Sequence, residues 1–123
     1  MLHSKPIDEA HARQAIAAGE FADDIVHSSR NVAVVLTQGW CPEWMAMHRW
    51  LDGMIKRGEP GTLDIDLYQL IYDRVPYFRE FLRFKEGTLG NYEVPYVRYY
   101  VDGRLVRESN YCSPAEFLTP FTV

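Results

Sequence analysis

Apolar positions fall along this chain in two rhythms, and their alternation predicts its elements. In "PIDEAHARQAIAAG", Ile7, Ala10, Ala15 and Ile16 follow a helical step behind Pro6 and an acidic first turn, with Gly19 as the stop. "EFADDIVHSSR" continues as a second helix or a kinked extension, with Phe21, Ile25 and Val26 turned inward. The run "NVAVVLT" is almost wholly apolar and reads as a strand buried on both faces. From about Pro42 to Arg57, Trp44, Met47, His48, Leu51, Met54 and Ile55 recur at steps of three and four, which predicts one long amphipathic helix closed by Gly58.

The second half repeats the alternation. "GTLDIDLY" spaces Leu63, Ile65 and Leu67 by two, as a strand does. Residues 69 to 85 read as helix, interrupted at Pro76, with Tyr77, Phe78, Phe81, Leu82 and Phe84 as an amphipathic face. "PYVRYYVDGRLVRES" is a hairpin turning at Asp102-Gly103. Ser113, Pro114 and Glu116 form a capping box for a short terminal helix. Two strands joined by a helix pair in parallel and the hairpin adds antiparallel strands, so the expectation is an α/β fold with a mixed four-stranded sheet and helices on both faces. No repeat or linker divides the 123 residues. They are expected to form one domain, with N-terminal helices over 1–30 and a core over 31–121.

Composition narrows the function classes. Apolar residues at 47% and charged residues at 24% fit a folded globular chain. The net charge of −4, without any basic run, argues against a nucleic-acid surface. No signal-like or membrane-spanning stretch is present, so a soluble cytoplasmic protein is expected, with no membrane partner. Cys41 and Cys112 are too few for a disulfide scaffold. His3, His11 and His27 have no ligand spacing with either cysteine, so no metal is expected. Asp64 and Asp66 on one strand face read as solvated carboxylates.

The chemistry concentrates in "TQGWCPEWMAM". Cys41 stands at the start of the long helix, where unpaired N–H groups and the positive end of the helix dipole favour a thiolate; Glu43 opposes this by like charge. The bland alternative is a buried, inert cysteine. Trp44 lies on the apolar face and reads as an indole packed near the thiol. His48, about 10 Å farther along the axis, is too distant to act as a base and reads as a core histidine.

"VAVVLTQGWCPEW", "EVPYVRYYVDGRLV" and "SPAEFL" together, over roughly residues 31 to 121, resemble the thioredoxin-like family: the strand and active-site turn, the loop and hairpin, and the last helix. The resemblance implies that Cys41 is the nucleophile, Trp40 the aromatic before it, and Pro95 a cis-proline facing the thiol. It also implies that backbone beside Val94 pairs with an extended substrate. Pro42 matches the CPxC variant of glutaredoxins and periplasmic oxidases. Two departures stand out. Trp44 replaces the resolving cysteine, giving a single-cysteine CPEW motif, and Val35 stands where a buried aspartate is usual. The implied function is a monothiol disulfide oxidoreductase, forming mixed disulfides with a protein thiol or with glutathione as co-substrate and needing no bound cofactor. Cys112 is the candidate resolving thiol, or else an apolar contact beneath the last helix. The rival reading is a redox-inactive binding module that keeps the groove of Trp40, Pro42, Trp44, Val94 and Pro95. Bulky Glu43 and Trp44 argue against an iron–sulfur carrier, and hairpin edge backbone suits a homodimer.

Overall fold

The structure, a computed structural model, describes residues 1–122. Its centre is strand β2, Asn31–Thr37, in which all seven residues are buried. Strand β3 (Ile65–Ile71) pairs with it in parallel, Asn31 opposite Ile65 and Thr37 opposite Ile71. Strand β4 (Tyr96–Val101) pairs with its other side in antiparallel register, Val35 opposite Val97. Strand β5 (Arg104–Ser109) adds to β4, and β1 (Leu2–Pro6) pairs in parallel with β3, giving the order β1-β3-β2-β4-β5.

Because side chains alternate across a strand, β2 supplies two cores. Val32, Val34 and Leu36 pack on one face with α1 (Glu9–Ala18), α2 (Asp23–Val26) and α4 (Phe78–Arg83). Ala33 and Val35 pack on the other with α3 (Pro42–Arg57) and α5 (Pro114–Leu118). Helix α3 has the predicted bounds. Pro42 opens it, Trp44, Met47, Leu51 and Met54 form its buried stripe, and Gly58 ends it at φ 67°. The hairpin turns at Asp102 and Gly103, both with positive φ, and the Ser113–Glu116 capping box is formed on both sides.

Three expectations are corrected. The sheet has five strands rather than four, because residues 2–6 form a strand instead of a lead-in to a helix. Only Leu2 is buried among them, so this edge strand is held by backbone pairing and lacks an apolar signature. Pro6 therefore closes β1, and α1 starts at Glu9 behind an Asp8 cap. Residues 69 to 85 are not one interrupted helix. β3 continues to Ile71, a tight turn covers Tyr72–Arg74, and α4 widens into a π-helical turn over Phe84–Thr88. Tyr77, Phe81 and Phe84 from this segment are nonetheless buried, as their spacing suggests. Asp64 precedes β3 and is exposed, whereas Asp66 is 5% exposed and accepts hydrogen bonds from Lys5 Nζ (2.9 Å) and Ser28 Oγ (2.6 Å).

Arg98 on β4 is the largest charged side chain buried inside this frame. Its Nε donates to Tyr100 Oη (2.8 Å), its Nη1 to Tyr96 Oη (2.8 Å) and its Nη2 to Glu20 Oε2 (2.5 Å). Tyr100 Oη donates to the other Glu20 oxygen (2.6 Å), so one carboxylate on the loop after α1 satisfies two buried groups. Glu20→Ala removes this carboxylate from both, leaving Arg98 to the two tyrosine hydroxyls and to Glu108 at 3.6 Å. Since the Glu20 side chain is 41% exposed and water replaces part of it, the loss is expected to be about 2 kcal/mol in urea unfolding. A loss under about 0.5 kcal/mol contradicts this role.

Candidate functional site

Where β2 ends, the chain must leave the sheet and start α3 over the second core. Residues Gln38–Trp40 make that link, and two contacts with the turn after β3 hold it. Gly39 N–H donates to Asp73 Oδ1 (2.9 Å), and the Arg74 guanidinium lies directly over Gly39. A Cβ at position 39 would stand 2.5 Å from Arg74 Nη2, so any side chain here displaces the Arg74 guanidinium from this position. Gln38 fixes the aromatic beside the cysteine. Its Nε2 donates to Tyr72 Oη (3.2 Å), and its Oε1 accepts from Trp40 Nε1 (2.6 Å). Trp40 is thus anchored at one edge while remaining 62% exposed.

Cys41 is the N-cap residue of α3 and is 4% exposed. Its side chain makes no capping bond; the thiol donates to the carbonyl of Val94 at 3.5 Å. The first-turn N–H groups of Glu43 and Trp44 have no intrahelical acceptor by geometry, so they stand beside the sulfur as a source of positive potential. Three residues on, Trp44 is 4% exposed and belongs to the apolar cluster of Val35, Met47 and Cys41 itself. Its ring packs against His48, centroids 5.2 Å apart. His48 is exposed, which corrects the expectation of a core histidine: the indole occupies the interior position, and the imidazole covers it from solvent.

Across from Cys41, the Val94–Pro95 peptide is cis. The segment is tied down from two sides. Asn110 Nδ2 donates to the carbonyls of Pro95 (3.0 Å) and Glu93 (3.2 Å). Lys85, fully buried in the π-helical turn, points its Nζ at the same Glu93 carbonyl (2.5 Å), with the ring of Tyr96 5.7 Å away. Burial pulls the Lys85 pKa down to about 8. Between the two segments runs an open groove of about 540 Å³, lined by Trp40, Cys41, Pro42, Tyr92 and Val94 and edged by glutamates. A separate cavity of about 500 Å³ lies beyond Gly39 and Trp44 and carries His48, Arg49 and Arg74.

Trp40, Cys41, Pro42 and Val94 therefore line one groove, while Trp44 lies behind it and faces the second cavity. Pro95 sits buried behind Val94. Cys112 is a free, buried thiol whose Sγ lies 3.5 Å from Tyr99 Oη, and burial pushes its pKa up. It does not line the groove. Gln38, Asp73, Arg74, Lys85 and Asn110 carried no sequence signal, because each acts through a contact between segments that no local pattern brings together. Among the described residues, no three His, Cys, Asp or Glu side chains gather as a metal-ligand set. No helix there is long and apolar enough to cross a membrane.

Comparison with known proteins places this geometry in a fold. Thioredoxin O1 from Arabidopsis thaliana in its oxidized state superposes with a TM-score of 0.61 at 13% identity, over 98% of this chain and 94% of that one. Thioredoxin O2 from the same plant gives 0.58 at 15%, over 98% and 90%. Trxlp from Edwardsiella tarda gives 0.59 at 19%, over 97% of both chains. The chain has the thioredoxin fold. No family model matches the sequence, and neither does any curated protein.

The Lys85 contact yields a pH test. Its folded pKa of about 8 lies below the ordinary 10.5, so between these values the unfolded chain holds more protons and native stability rises with pH. Relative to Lys85→Met, the wild type is expected to gain about 1–2 kcal/mol from about pH 7.5 to about pH 9.5, read by urea unfolding. A difference that stays flat with pH removes the buried ammonium from the account.

Proposed function

We propose that this protein exchanges disulfides through Cys41 alone, as a thioredoxin-like protein of monothiol type acting on protein disulfides. The observation that carries the reading is the placement of the Cys41 thiol. Cys41 is the N-cap residue of α3, and its thiol lies on the floor of the groove and donates to the Val94 carbonyl at 3.5 Å. In the reaction the Cys41 sulfur loses its proton and attacks one sulfur of a disulfide. The bond from Cys41 to that sulfur forms, the old sulfur–sulfur bond breaks, and the second sulfur leaves as a thiolate. A thiol from another molecule then attacks the mixed disulfide and restores Cys41.

Trp44 offers no second sulfur, and Cys112, the candidate resolving thiol from the sequence, is buried with a raised pKa and stands outside the groove. Resolution by an external thiol is the simpler route. One feature favours the rival reading of a binding module without redox activity: Val35, fully buried behind the motif, provides no acid or base to move a proton.

A neutral probe separates the two. Incubation with hydroxyethyl disulfide, followed by mass spectrometry of peptides, is expected to place the adduct on Cys41 at least about tenfold faster than on Cys112. Cys41→Ser abolishes the fast adduct. Equal slow labelling of both cysteines, or reaction only after unfolding, sinks the exchange reading and leaves the binding module.

A further inference from the structure

The groove beside Cys41 has a sign. Glu43 lines it from the first turn of α3, Glu86 from the π-helical turn and Glu93 from the segment before Pro95. These carboxylates come from three separate elements and converge on one cavity. Among the described residues, none lies within ion-pair distance of a Lys, Arg or His. No cation lines the groove either. Lys85, the neighbour of Glu86 in sequence, is buried outside the groove lining with its ammonium turned to the Glu93 carbonyl; its charge attracts the Glu86 and Glu93 carboxylates and offsets part of their field, while Glu43 has no such neighbour among the described residues. Arg49 and Arg74 face the separate cavity beyond Trp44.

Two further features say what fits. Trp40 and Tyr92 are 62% and 73% exposed, and both line this same groove, although aromatic side chains of this size are ordinarily covered. Their faces attract ammonium and guanidinium groups, most strongly from arginine. The thiol lies on the groove floor at 4% exposure, so a slender, extended chain reaches it better than a bulky surface does.

Resting on the exchange reading above, we infer that the occupant of the groove is an extended, basic segment of a partner protein, with arginine or lysine flanking the reacting cysteine. The carboxylates attract the flanking cations and steer the approach, while Trp40 and Tyr92 cover them. Glutathione, which carries two carboxylates and one ammonium, meets three like-signed groups here and no cation to hold its ends. The partner's own disulfide is the oxidant, and the exchange proceeds as written above.

The test separates charge from chemistry. Two eight-residue peptides with a central serine, one flanked by arginines and one by glutamates, are titrated calorimetrically into the full chain carrying Cys41→Ser. The arginine peptide is expected to bind at least about tenfold more tightly at low ionic strength. The gap should narrow in high salt and in a variant combining Glu43→Gln, Glu86→Gln and Glu93→Gln. The salt series on the chain with its glutamates intact stands even where that variant folds poorly. Equal affinities, a preference for the acidic peptide, or a gap indifferent to salt overturns the inference.

The same peptides, with cysteine as the hydroxyethyl mixed disulfide, are then offered to the wild type. Equal rates of adduct formation at Cys41 overturn the charge preference while leaving exchange intact. Tight binding of the arginine peptide without any adduct leaves the basic partner and discards exchange. Rapid reaction with oxidised glutathione, outrunning the arginine peptide, overturns the inference as well.

Discussion

Burial of β2 on both faces is the constraint from which the rest of the structure follows. A strand with seven buried residues has no solvent side, so its two sets of side chains require separate covers, α1, α2 and α4 on one face and α3 and α5 on the other. It also needs hydrogen-bonding partners along both edges, which β3 and β4 provide in opposite orientations. The chain leaving such a strand must turn sharply over an end of the sheet to cover a face. Cys41 lies at that turn, where backbone donors of a new helix are unsatisfied and irregular loops are unavoidable.

Legibility in the sequence followed the source of each element's stability. β2, α3, the Asp102-Gly103 turn and the Ser113–Glu116 box owe their form to residues within a few positions of each other, through burial periodicity, turn conformation or local capping. Each could be read directly. β1 owes its form to pairing with β3, some sixty positions away, and its residues Leu2–Pro6 show one buried side chain. Residues 69–77 misled for a related reason. Gln69, Leu70 and Ile71 extend β3 because β2 offers backbone partners up to Thr37, and that pairing outweighs a helical spacing.

The candidate site divides in the same way. Trp40, Cys41, Pro42 and Val94 stand next to recognisable local signals, the start of a helix and a Val-Pro step before a strand. The groups that set their geometry do not. Asp73 and Arg74 hold Gly39, and Lys85 and Asn110 hold the carbonyl of Glu93, all through contacts between loops. A buried lysine satisfied by one backbone carbonyl is costly in isolation. Its position beneath the segment that faces the thiol ties that cost to the geometry of the groove.

Trp44 then determines what kind of site this is. Its indole fills the second core between Val35 and Met47, with His48 over its outer face, so the position supports packing and carries no sulfur. With Cys112 held by Tyr99 and Ser109 surroundings outside the groove, the proposed exchange requires a disulfide formed at Cys41 to pass to another molecule before the thiol is free again. A paired-cysteine site releases its product by its own second thiol, at a rate fixed within the protein. Under the proposed exchange, release depends on whatever enters the groove, so the residues that line it, Glu43, Glu86, Glu93, Trp40 and Tyr92, bear on both halves of that cycle.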